Sequence, residues 1–140
     1  MLARVAAGIS RDRGAATTEL VLAAPLLILL TLVAVGFGKL AGARLDADEA
    51  AHQAARAATL ARTTGEAGSD AGRAARQSLA GAGSSCSDPR VAPEVGDLAP
   101  GGVVRVTVRC HVALDVPGLG DVDVEASASS VVDRYRGEQL

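Results

Sequence analysis

The clearest pattern along the chain is a run of 19 uncharged residues, 20–38, that follows a basic leader. The run reads LVLAAPLLILLTLVAVGFG. As a helix it covers about 28 Å, close to the ~30 Å hydrocarbon core of a bilayer. We therefore expect one transmembrane helix. Pro25 lies inside the run, where it either loosens the helix one turn back or is a tolerated membrane proline.

A stripe of small residues continues the helical pattern beyond the run. Residues 39–62 contain no proline and are dominated by alanine, the best helix former. The stripe repeats at spacings of three and four residues and comprises Ala43, Ala47, Ala50, Ala54, Ala58 and Ala61. We predict that the transmembrane helix extends through residues 15–62. Two interpretations of the stripe stay open, a close-packing face or a by-product of alanine-rich composition.

A second, shorter helix follows. Thr63 and Glu66 have the spacing of a capping box, which predicts a helix over residues 66–80. Gly81 is then a plausible first residue beyond its C-terminus.

Near the C-terminus the pattern changes to a period of two. Residues 103–116 alternate apolar and polar positions, broken only by Ala113, and residues 121–130 alternate again after a Pro-Gly turn. The polar face of the first strand is basic and that of the second is acidic, which favours antiparallel pairing. A weaker strand is expected over residues 91–95. The predicted fold is α+β, with a long N-terminal transmembrane-plus-extension helix, a second short helix and a small antiparallel sheet of two or three strands.

Two cysteines follow the span. Cys110 lies on the apolar strand face and is expected to point at the alanine-rich helix, whereas Cys86 lies in a Gly/Ser loop. With one Phe, one Tyr and no Trp, the predicted domain of residues 63–140 has little material for a large core. If its compartment is oxidising, a disulfide between Cys86 and Cys110 is expected, worth about 3 kcal/mol. In a reducing compartment the pair would stay free.

Little in the sequence indicates catalysis or ligand binding. The two histidines, His52 and His111, lie far apart, and the cysteines lack the close spacing of zinc motifs. No nucleophile elbow or phosphate-binding loop is present, and a net charge of −2 offers no basic field for nucleic acid. We expect no enzyme, catalytic residue, metal, cofactor, nucleic acid or small-molecule substrate.

The junction before the run has an unusual order of residues. Gly14 closes the basic leader, four small residues follow, and Glu19 stands at the start of the run. Three arginines precede the run, and only Lys39 and Arg44 follow it closely. This excess favours a cytoplasmic N-terminus and an extracytoplasmic C-terminal domain. An Ala-Gly-Ala sequence at 41–43 offers the alternative of a conventional signal peptide, with a mature start at Arg44.

Residues 13–38 resemble the N-terminal region of TadE-like proteins, which are pilin-like subunits of tight-adherence (Flp) type IV pilus systems. The resemblance rests on Gly14, on Glu19 as the fifth residue after it, on Pro25 and on the small-residue helix that follows. The valine-rich strand and the closing VVDRYR also look like short actinobacterial minor pilins. One departure is Leu20, where many pilins have an aromatic residue beside the acid.

The resemblance implies a structural subunit, a minor pilin or pseudopilin. A prepilin peptidase would remove the leader, residues 1–14, by cutting between Gly14 and Ala15 on the cytoplasmic face. Other pilin subunits and pilus assembly proteins would be partners, in the membrane and in surface pili. The alternative is an uncleaved single-span envelope protein with a small exported interaction domain.

Glu19 has a physical role that can be argued from its position. A carboxylate in the bilayer centre costs about 2.5–3.5 kcal/mol, so it needs a partner. Cleavage would create an amine on Ala15, four residues away on the same helix face or on a neighbouring subunit. Such a pair would favour one register between adjacent helices. Alternatively, Glu19 lies in the membrane interface and needs no partner.

Overall fold

The computed structural model describes residues 12–135, with side chains from residue 17 onward. Five elements follow one another, namely α1 (Asp12–Leu60), α2 (Thr64–Ala82), β1 (Ser87–Val95), β2 (Val103–Ala113) and β3 (Asp121–Val131). The predicted α+β fold is confirmed: a long N-terminal helix, a second short helix and a three-stranded antiparallel sheet. Residues 1–11 of the predicted leader lie outside the described residues.

The sheet has the strand order β1-β2-β3, with antiparallel pairing throughout. Its central strand β2 ends at Ala113 and not at the predicted residue 116, because Asp115 takes a φ of 52° and leaves the extended conformation. The weak strand expected at 91–95 is longer and spans Ser87–Val95. It contains Pro89 and Pro93, which are tolerated because β1 is an edge strand.

The chain divides into two compact units, Met1–Val35 and Gly36–Leu140. In the second unit, alternate residues of β2 form one buried sheet face, and its fully buried valines include Val104, Val106, Val108 and Val112. Most of the buried residues of α1 belong to the alanine stripe, whose members Ala43, Ala47, Ala50, Ala54 and Ala58 are buried together with the neighbouring Ala51 and Ala55. Of the two interpretations of this stripe, the structure therefore favours close packing. Small side chains let a helix backbone approach its neighbours, so a core without large aromatics can still be dense.

Helix α2 begins and ends on local signals. Thr63 has extended backbone angles, and its hydroxyl accepts a hydrogen bond of 3.2 Å from the Glu66 amide. The Glu66 carboxylate accepts a hydrogen bond of 3.2 Å from the amide of Arg62, one residue before the cap. The C-terminal glycine is Gly83, with a φ of 61°, and not the predicted Gly81, which is still helical. Helix α2 packs against β1.

In the first unit the described residues are helical, and most of the apolar side chains are exposed. Leu20, Leu22 and Leu27 are representative, with exposed fractions of 70%, 71% and 62%. Among the described residues, one helix segment, Thr17–Leu60, is long and apolar enough to cross a membrane, and it lies near the N-terminus. This agrees with the predicted single-pass membrane protein.

Candidate processing and assembly segment

The predicted cleavage bond, between Gly14 and Ala15, lies in the first turn of α1, which begins at Asp12. Neither this cut nor the role of its flanking residues is tested by the geometry. Both stay predictions.

Glu19 lies on α1 four residues after Ala15, a spacing that puts both residues on one helix face. Its side chain is exposed, as are those of Leu20 and Val21 beside it. No ion pair joins it to any side chain of residues 17–135. The register hypothesis for Glu19 stays a prediction.

Pro25 lies inside α1, and the helix continues across it. Because proline has no amide hydrogen, the carbonyl of Val21, four residues earlier, lacks its usual helical donor. The helix is therefore locally weaker at this turn than along the residues that follow. In the next turns Thr31 donates a hydrogen bond of 2.8 Å from its hydroxyl to the Leu27 carbonyl, so that its polar group is satisfied within the apolar run.

Cys86 and Cys110 are joined in the structure, with their Cα atoms 5.4 Å apart. Cys110 is 2% exposed and lies on the buried face of β2, as predicted, and Cys86 directly precedes β1. The bond crosses from the edge of the sheet to its centre. Next to it the Ser87 hydroxyl donates a hydrogen bond of 2.9 Å to the His111 carbonyl, where a bulge interrupts the pairing of β1 with β2.

The outer face of the sheet is held by pairs of opposite charge, as the alternating pattern predicts. Arg109 donates a hydrogen bond of 2.8 Å to Glu125 across β2 and β3, and His111 pairs with Asp123 next to it. The hydrogen bond that Arg109 donates to Glu125, and then the charge of Glu125, raise the pKa of Arg109 above its usual value. Within residues 12–135 no group of three or more His, Cys, Asp or Glu side chains could hold a metal ion.

One contact between α1 and the segment after β2 was not predicted from the sequence. A β-carbon added at Gly36 would lie 3.0 Å from Cγ2 of Val116 and 3.5 Å from the carbonyl oxygen of Leu114. Beside this contact the Lys39 ammonium forms an ion pair with Asp115. One sign of the contact between Gly36 and Val116 is visible in the sequence: the apolar alternation of β2 continues through Leu114 and Val116.

Comparison with known proteins agrees with the resemblance. The family described as TadE-like protein matches residues 14–56, from Gly14 through Glu19 and Pro25 into the alanine-rich part of α1. Separate comparisons with curated proteins and with solved structures gave no significant match. Residues 14–56 are therefore similar to TadE-like proteins.

Proposed function

We propose that this chain is a pilin-like structural subunit, a minor pilin or pseudopilin, of a tight-adherence type IV pilus or a related secretion apparatus. The observation that carries the proposal is the extent of the TadE-like match. It begins at Gly14, the residue before the proposed cut, and runs through Glu19 and Pro25 into the helical extension. The function is structural and not catalytic, with the membrane, other pilin subunits and pilus assembly proteins as partners.

The proposed topology puts the leader in the cytoplasm and the sheet outside it. Arg4, Arg11 and Arg13 precede the apolar run, and basic residues near a span favour the cytoplasmic side. The cysteine pair supports the same direction, because disulfides persist in oxidising compartments and both cysteines follow the run. A prepilin peptidase would then meet the bond between Gly14 and Ala15 on the cytoplasmic face.

The proposed role of Glu19 is to fix the register between neighbouring subunits. Cleavage would give Ala15 an amine, and this charge is favourable within packed apolar helices only when it meets a carboxylate. Glu19 is exposed and carries the only charge between Ala15 and Lys39. An incoming subunit would therefore dock in the register that brings its amine to Glu19, and other registers would leave a charge unpaired.

The test compares Glu19→Ala with Glu49→Ala, which removes an exposed glutamate of the same helix outside the apolar run. We expect both variants to reach the membrane at normal levels with the sheet and the disulfide intact. Only Glu19→Ala should fail to co-purify with sheared pili or with the cross-linked assembly machinery. Glu19→Asp should restore part of the incorporation, and Glu19→Lys should be worse than alanine.

Two results would contradict the proposal at different levels. If Glu19→Ala co-purifies as the wild type does, the register role is wrong and Glu19 merely lies in the interface. If the wild-type chain itself never co-purifies with pili or their machinery, the uncleaved envelope protein becomes the better explanation.

A further inference from the structure

A turn between β2 and β3 is uncharged, has an exposed tip and is attached by its base to the end of the apolar run. The turn comprises residues 116–120, Val-Pro-Gly-Leu-Gly, and we call it the Pro117 turn. Leu119 at its tip is 49% exposed although it is a large aliphatic residue. Neither the proposed pilin function nor the core of the second unit explains why this side chain points outward.

The Pro117 turn has a defined conformation. The Leu119 amide donates a hydrogen bond of 3.0 Å to the Val116 carbonyl, and Gly118 between them has a φ of 86°. Proline followed by a glycine of positive φ is the signature of a type II turn. Leu119 is thus presented by a preorganised turn and not by a loose loop.

The base of the turn is fixed to the end of the apolar run. Val116 is 9% exposed and lies against Gly36, where an added β-carbon would be 3.0 Å from its Cγ2 atom. Asp115, the residue before it, pairs with Lys39, the first charge after the run. Gly36 lies two residues, about 3 Å of helix, inside the end of that run. If residues 20–38 span the bilayer, Gly36 and the Val116 side chain against it lie near the end of the hydrocarbon core.

We propose that the Pro117 turn is a second membrane contact, with Leu119 inserted into the interface of the outer leaflet beside the transmembrane helix. The occupant is lipid because the turn contacts the apolar run itself, and Phe37, also in the run, is 66% exposed at the same level. At this depth, moving an uncharged apolar side chain from water into the boundary between headgroups and acyl chains lowers the free energy. The contact would fix the orientation of the sheet above the bilayer. It rests on the membrane-spanning role of residues 20–38.

The absence of tryptophan from the chain allows a direct test. Single reporters Leu119→Trp, Phe37→Trp and Val103→Trp are made in the full-length protein and reconstituted in phosphatidylcholine vesicles. A parallel set of vesicles contains phosphatidylcholine brominated near the headgroup end of its acyl chains. Phe37→Trp reports the span, and Val103→Trp, 54% exposed at the other end of β2, is the aqueous control.

We expect the brominated lipid to reduce the emission of Leu119→Trp and Phe37→Trp about twofold or more, and that of Val103→Trp hardly at all. If the brominated lipid quenches Phe37→Trp but leaves both Leu119→Trp and Val103→Trp unaffected, the membrane contact of the turn is wrong and the transmembrane span is kept. No quenching of Phe37→Trp overturns the span and with it the proposed function. If the emission of Leu119→Trp is blue-shifted but not quenched, residue 119 is buried against protein and the lipid contact is wrong.

A second pair of variants tests the attachment. Gly36→Leu would push Val116 away, whereas Gly38→Leu adds the same side chain where no atom lies within 4 Å of the added β-carbon. Combined with Leu119→Trp, Gly36→Leu should abolish most of the quenching and Gly38→Leu should leave it unchanged. Equal quenching in the two combinations would contradict the proposed anchoring at Gly36.

Discussion

Cys86 and Cys110 are 24 residues apart in sequence, yet their Cα atoms lie 5.4 Å apart. Their bond ties the start of edge strand β1 to the buried face of central strand β2. The largest fully buried side chains of the second unit are valines, so its core contains no large aromatic anchor. A covalent link should therefore supply a sizeable share of its stability.

We expect both cysteines to be inaccessible to thiol reagents in native envelope fractions until a reductant is added. Replacing both with alanine should lower the free energy of unfolding by about 3 kcal/mol, because the unfolded chain gains the entropy of an open loop. Urea unfolding of the detergent-solubilised protein measures this change. Quantitative labelling of both cysteines in the unreduced native protein would show that the bond is absent there.

The alanine stripe of α1 should resist larger side chains. Ala54 is fully buried, so Ala54→Leu must displace packed neighbours and should cost about 1–3 kcal/mol in urea unfolding. Ala80 is an exposed alanine of α2, and Ala80→Leu should change the stability by less than about 0.5 kcal/mol. Equal effects of the two substitutions would mean that the stripe reflects composition and not packing.

Two glycines at the end of α2 should respond to alanine in opposite directions. Gly83 has a φ of 61°, which alanine adopts at a cost, so Gly83→Ala should destabilise the protein by about 1 kcal/mol. Gly81 is helical with open space around its Cα, so Gly81→Ala should stabilise it by roughly 0.5–1 kcal/mol. Urea unfolding of both variants measures the sign of each stability change. If Gly81→Ala destabilises the protein and Gly83→Ala stabilises it, α2 ends at the predicted Gly81.

Local patterns predicted most of the fold. The period of two in β2 and β3, and the Thr63 and Glu66 spacing before α2, depend on neighbours in sequence, and the structure contains all three elements. The helix end was missed because Gly81 and Gly83 both fit a C-terminal position, and the sequence pattern does not distinguish between them. The extent of β1 was hidden by Pro89 and Pro93, which a strand tolerates only at an edge.

The contact of Gly36 with Val116 could not be predicted from local patterns, because the two residues are 80 positions apart. Leu114 and Val116 continue the apolar alternation of β2, and from sequence alone this reads as more strand. In the structure they are buried although the strand has ended, because they pack beside α1. At the processing junction the opposite holds. Gly14 and Glu19 stand out in the sequence, whereas in the structure both simply lie on α1.

The central claim is that the chain is a processed pilin-like subunit, and the mass of the mature protein tests it most directly. In cells with an active prepilin peptidase, intact-mass measurement of the membrane-extracted protein should show loss of residues 1–14 and a start at Ala15. Gly14→Leu should abolish that loss, whereas Gly8→Leu, at the other glycine of the leader, should leave it unchanged. A mature protein that still begins at Met1 in those cells, or one that begins at Arg44, would contradict the account.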